Sequence, residues 1–194
     1  MSRLPLGRRV VRGLSSAALG ITLGAAVGLG GSLVIDQASA HELAIVCPNQ
    51  SGMTPNCVGH EHRERMFGNP SGHYDNMAAH EGPDDLWGYA SGDDLNGNMG
   101  DDDIRGVVDG DLLNGNDDAD FAEGDGGADV LHGGQGIDSP FGDDQEDDIF
   151  GDENEDLLVG GDGNDDLHGG AGSDECYGQG GANDTFTNCE IQDQ

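Results

Sequence analysis

Positive charge is what this chain has least of. Its seven basic residues are all arginine and face 39 acids, and beyond residue 12 only Arg63, Arg65 and Arg105 remain. Such a polyanion repels nucleic acid and acidic membrane surfaces, which removes both as partners. Aromatic residues are also scarce, at 5% of the chain. High charge with few apolar residues is the composition of a chain that stays disordered. Either a cation forms part of the folded state, or the sequence is an acidic linker with no folded state. Catalytic signatures are missing too, since neither Gly-x-Ser-x-Gly nor His-Glu-x-x-His occurs.

One apolar run is present, and it reads as targeting rather than fold. Arg3, Arg8, Arg9 and Arg12 precede a Gly/Ala/Leu-rich stretch from Leu14 to Ile35, and Ala38-Ser39-Ala40 supplies a small-residue cleavage pattern. Residues 1–40 are therefore expected to be a signal peptide, with a secreted, extracellular mature chain starting at His41 and no membrane span after cleavage. Uncut, the same run is long enough to be an anchor. Gly7-Arg8-Arg9-Val10-Val11 partly matches a twin-Arg signal, but Arg12 stands where an apolar residue is usual, so twin-Arg and Sec export both stay open. Cleavage removes four arginines and one acid, Asp36, leaving three arginines against 38 acids, a net charge of 3 − 38 = −35.

What the chain has in abundance is a period. Asp recurs every ninth residue at Asp84, Asp93, Asp102, Asp111, Asp120, Asp129, Asp138, Asp147, Asp156, Asp165 and Asp174. Two residues after each lies a mostly apolar position: Leu86, Leu95, Ile104, Leu113, Ala122, Leu131, Pro140, Ile149, Leu158, Leu167 and Cys176. Five residues before each lies Gly, except that Ala79 opens the first unit. A fixed period of this kind outranks local propensity in reading a fold.

The best units are GGDGNDDLH at Gly160–His168 and GGAGSDECY at Gly169–Tyr177. They resemble the Gly-Gly-x-Gly-x-Asp-x-apolar-x nonapeptide of RTX (repeats-in-toxin) calcium-binding proteins, and the resemblance covers residues 79–177. It implies an all-β, parallel β-roll, a right-handed β-solenoid in which six residues make a turn, three make a short strand and two units complete a coil. It also implies calcium ions between successive turns on the same side, with the eleven Asp residues as side-chain ligands. Eleven turns, with same-side neighbours two units apart, would enclose at most 11 − 2 = 9 ions. The chemistry agrees, because calcium takes six to eight oxygens and Asp supplies charge where glycine-rich turns supply carbonyls. Binding then drives folding, and the metal-free chain is expected to be largely unfolded.

Gly, Asn and Asp tolerate left-handed backbone angles. One of the three fills the second position of eight of the eleven units, whereas Val107, β-branched, makes its turn doubtful. Pro140 removes a ladder donor, so the strand it occupies is a weak point. Alternate units assign Trp87, Phe121, Phe141, Leu157, Val159 and Tyr177 to one outer face, suited to a protein or cell-surface partner, a second copy, or residues 41–78 docking on it. The last is the reading favoured here.

Residues 41–78 form an N-terminal His-rich cap in this division, and 178–194 a C-terminal cap. Asp75 and Met77 keep the nine-residue phase and mark a degenerate twelfth unit at the end of the first. His60, Glu61, His62, Glu64, His73 and His80 are possible ligands for zinc or another transition metal, or simply solvated polar residues. Four cysteines flank the repeats, and of three possible connectivities the local one, Cys47 with Cys57 and Cys176 with Cys189, is expected in an exported chain. Only 38 residues separate His41 from Ala79, too few for a catalytic domain with its own core. The expected function is a noncatalytic calcium-binding protein. Alternatives are a surface-adhesion module and a fragment of a hydrolase.

Overall fold

The computed structural model describes residues 33–36, 43–47, 56–59 and 62–193. It contains strands and turns only. Five short strands lead: β1 (Leu33–Asp36), β2 (Leu43–Val46), β3 (Asn56–Val58), β4 (Glu64–Phe67) and β5 (Asn76–Ala78). Eleven repeat strands follow: β6 (Asp85–Ala90), β7 (Asp94–Met99), β8 (Asp103–Val108), β9 (Leu112–Asp117), β10 (Phe121–Gly126), β11 (Val130–Gln135), β12 (Ser139–Asp144), β13 (Asp148–Glu153), β14 (Leu157–Asp162), β15 (Asp166–Ala171) and β16 (Glu175–Gln179). The last two are β17 (Thr185–Thr187) and β18 (Ile191–Asp193). No helix among the described residues is long and apolar enough to cross a membrane.

The strands stack into two sheets, one ordered β1-β2-β4-β6-β8-β10-β12-β14-β16-β18 and the other β17-β15-β13-β11-β9-β7-β5-β3. Apart from the antiparallel pair of β1 and β2, every pairing is parallel, and within the repeats each residue pairs with the one 18 positions on, as in Phe121↔Ser139. Consecutive nonapeptides therefore lie on opposite sheets, and two of them make one coil of a β-solenoid. The apolar position points inward at every step and builds a continuous core one side chain thick per sheet. Leu86, Leu95, Ile104, Leu113, Leu131, Ile149, Leu158, Leu167 and Cys176 are all sealed from water.

Strands are longer than the sequence suggests, six residues rather than three, because the stacked turns also pair in register. They bend rather than run straight. The bend is made at the second position of the unit, where φ is positive from Tyr89 through Gly170 at every ninth residue. Val107 is no exception: its turn forms, with φ +95. The neighbouring turns pair with it at Tyr89 and Asp125 and dictate its conformation, so a β-branched residue adopts a left-handed angle that it ordinarily avoids. At Pro140 the ladder is interrupted as expected. Pairing of β12 with β14 begins only at Phe141, whereas β10 pairs with β8 from Phe121 and Ala122 onward.

The end segments differ from the expectation of separate caps. The described residues between 43 and 78 do not dock on the aromatic face but continue the coils, with β2 and β4 in one sheet and β3 and β5 in the other. Ile45, Met66 and Met77 extend the core. Likewise Phe186 takes the apolar position opposite Leu167, and β18 pairs with β16. Nine parallel strands at about 4.8 Å make a rod about 40 Å long, against the 25 Å that eleven units alone would give. Disulfides Cys47–Cys57 and Cys176–Cys189 tie the two ends, as the local pairing anticipated. Cys57 and Cys176 occupy core positions, so each bridge replaces a buried apolar contact.

The outer faces carry ladders of their own. Phe67 stacks on Trp87 at 5.1 Å, Phe121 packs on Phe141 at 5.3 Å, and Phe150 lies between His132 and His168 at 4.5 and 4.8 Å. Arg65 lies over Phe67 and Trp87, and Arg105 over Phe121 while pairing with Glu123 at 2.8 Å. Rings that stack along the rod axis have spent their faces on each other. The aromatic face is half-buried by its own members rather than open.

Candidate metal centres

Each nonapeptide turn carries its Asp from the rim of the solenoid into the gap between one coil and the next. The eleven ladder residues fall into two rows, one along each edge: Asp84, Asp102, Asp120, Asp138, Asp156 and Asp174, and Asp93, Asp111, Asp129, Asp147 and Asp165. All are buried, at 0 to 4% exposure, which is exceptional for a carboxylate. Within each row the backbone N–H of one Asp donates to Oδ1 of the Asp a coil further on. Nine such bonds, 2.6 to 3.1 Å long, link the eleven.

The other oxygen of every one of these carboxylates, Oδ2, is buried and has no hydrogen-bond partner. A single orphaned buried oxygen costs of order 1–3 kcal/mol, more when charged, so eleven in two ordered rows are a requirement for something positive. The Gly that opens ten of the eleven units explains how room is kept for it. A Cβ on Gly88 would lie 2.8 Å from Asp93 Oδ2, and one on Gly133, Gly151 or Gly169 2.6 Å from the Oδ2 of Asp138, Asp156 or Asp174. That cradle also faces a carbonyl of the next coil, Gly106 O beside Gly88 and Gly151 O beside Gly133. Carboxylate and carbonyl oxygens at a glycine-lined turn are the donor set of a hard divalent cation such as calcium.

The electrostatics point the same way. Burial away from water pushes the carboxyls up, the donated N–H offsets only part of the rise, and like charges along the row add to it. Asp84, Asp129 and Asp138 are pushed to about 6, Asp93, Asp102, Asp147 and Asp156 to about 7, and Asp111 and Asp120 to about 8. Asp165 and Asp174 are raised as well, again chiefly by burial.

Among the described residues, the His-rich segment brings together no group of three potential ligands. His60 and Glu61 lie outside the described residues, while His62, His73 and His80 are exposed. Glu64 is instead buried at the head of the first row, where its N–H donates to Asp84 Oδ1 at 2.6 Å. Among the described residues, the one group of three potential ligand side chains close together is Glu123, Asp125 and Asp143, on the rim beside Arg105. The period did not single out that group, since it joins two different positions of the unit.

The model of the RTX calcium-binding nonapeptide repeat matches four times, at residues 75–104, 105–140, 141–176 and 150–185. No curated protein and no solved structure matches the chain. The matches span more than half of the sequence and coincide with the coils that carry the buried Asp rows, and the chain belongs to the RTX calcium-binding nonapeptide repeat family.

Proposed function

We propose that this is an exported, noncatalytic protein that folds around a double row of calcium ions, with the eleven ladder Asp residues as ligands. The observation that carries the reading is the set of eleven buried Oδ2 atoms without partners, ten of them beside a glycine cradle. Calcium satisfies the orphaned oxygens and lowers a net charge of −35 in the chain from His41 onward. Because the ligands are brought together only by coiling, binding energy is folding energy. The strongest sites in this reading lie between Gly160 and Tyr177, where the Gly and Asp positions both match the motif.

Export removes residues 1–40 and with them β1, leaving β2 as the first strand of its sheet. The aromatic face favours no adhesion reading over this one, since its rings stack on one another. The deciding measurement is a calorimetric calcium titration of the chain beginning at His41, followed by far-UV circular dichroism. Saturable binding of several ions with a gain of β structure is expected. Absence of binding heat together with an unchanged spectrum would sink the proposal.

A further inference from the structure

Turns outside the eleven-unit ladder reproduce its construction, although none has the repeat's spacing and residue type together. We propose that the cation rows extend past the ladder by three calcium sites, between Glu64 and Asp84, between Asp75 and Asp93, and between Asp165 and Asp184. The inference rests on the calcium reading above.

The first added site pairs Gly59 with Glu64, which have the glycine-to-acid spacing of the repeat but Glu in place of Asp. A Cβ on Gly59 would collide with Glu64 Oε2, the same cradle found inside the ladder. Glu64 is 1% exposed, and Met66, two residues on, takes the core position. A carboxylate longer by one methylene still offers the hard, charged oxygen that calcium requires.

The second turn, Gly68 to Asp75, is two residues longer than the repeat. Asn69 N–H donates to Asp75 Oδ2 at 2.5 Å, and Asp75 N–H donates to Asp93 Oδ1 at 2.7 Å. Asp75 is wholly buried, yet its Oδ1 has no partner. The turn's own Asn69 N–H donates to one carboxylate oxygen, and the opposite oxygen is left for the cation. A Cβ on Gly68 would lie 2.9 Å from Asp75 Oδ2.

The third turn, Gly178 to Asp184, is one residue longer than the repeat. Asp165 N–H donates to Asp184 Oδ1 at 3.2 Å, and a Cβ on Gly178 or Gly181 would collide with the Asp184 carboxylate. Glu190 does not qualify. It accepts the Asp174 N–H at 2.5 Å, but it is exposed, so it closes its row as a cap rather than enclosing an ion.

The test counts ions on the chain from His41 with both disulfides intact. Calcium bound at saturation is measured by native mass spectrometry and by equilibrium dialysis, for the parent and for Glu64→Gln, Asp75→Asn and Asp184→Asn. The nine gaps of the ladder plus three give about twelve ions in the parent. Each variant is expected to lose one. The parent count holds its value as a test even if a variant does not fold. A parent with nine ions or fewer, or variants that hold as many as the parent, overturns the inference and leaves the calcium reading standing. A parent that holds none overturns that reading itself.

Discussion

Protons should substitute for calcium. In the absence of metal, a ladder Asp held at about 7 in the coil titrates near 3.8 when unfolded, a difference of about 3 units or roughly 4 kcal/mol for that one group. Two or three such groups equal the whole stability of an ordinary domain, about 5–15 kcal/mol, and six are raised to about 7 or 8, with three more to about 6. The sign follows from linkage. A carboxyl whose folded value is raised favours the coil fully below about 3.8 and loses that contribution as pH climbs through 6 to 8. The metal-free chain is therefore expected to keep β structure near pH 4.5 and to lose it by pH 8. With calcium present the trend reverses, because protons compete for the same oxygens and weaken binding below about pH 6. Far-UV circular dichroism in excess chelator from pH 4.5 to 9, with size-exclusion chromatography to track aggregation near the isoelectric point, checks both arms. Equal β content at pH 4.5 and pH 8 without metal would refute the reasoning.

Four substitutions probe the construction of the coil. Gly133→Ala places a Cβ 2.6 Å from Asp138 Oδ2 and 2.8 Å from Gly151 O, and should cost about 1–3 kcal/mol together with one bound ion. Gly72→Ala, with φ +76 and nothing within 4 Å, is the control: about 1 kcal/mol and no ion lost, both read by denaturation and calcium counting. Leu131→Ala empties a fully buried rung between Leu113 and Ile149 and should cost about 2–5 kcal/mol in urea titrations at saturating calcium. Val107→Asn puts a residue that accepts positive φ where φ is +95, and should stabilise by about 1 kcal/mol; a lowered thermal midpoint would contradict the strain assigned to Val107.

The coil was legible because its two instructions are periodic and independent: Asp at the rim and an apolar residue two positions on. What the period could not reach is where one instruction changed. Glu64 keeps the glycine five residues before it and the apolar Met66 two after, yet its side chain is not Asp. Asp75 fits the phase, but two extra residues in its turn put Gly68 out of register, and one extra residue displaces Asp184. Solenoid turns tolerate such insertions at the rim because only the strands must stay in phase. The ring ladders were hidden for a different reason. Periodicity assigns Trp87, Phe121 and Phe141 to an outer face, but their stacking depends on which neighbours an 18-residue coil sets beside them. Val107 was judged by its own preference, whereas the pairing of Tyr89 and Asp125 on either side decided its angle.

Each coil of the repeats takes 18 residues and pairs in parallel with the next, with fewer rungs where Pro140 sits. Pulled along its axis, such a rod is expected to yield first at an end or where Pro140 interrupts the ladder. Each released coil lengthens the chain by about 60 Å while surrendering one rung in each row. The disulfide between Cys176 and Cys189 withholds the stretch it closes from that extension. Under tension, a rod that holds calcium along its carboxylate rows is expected to yield in even steps, with the calcium concentration setting the force of each step.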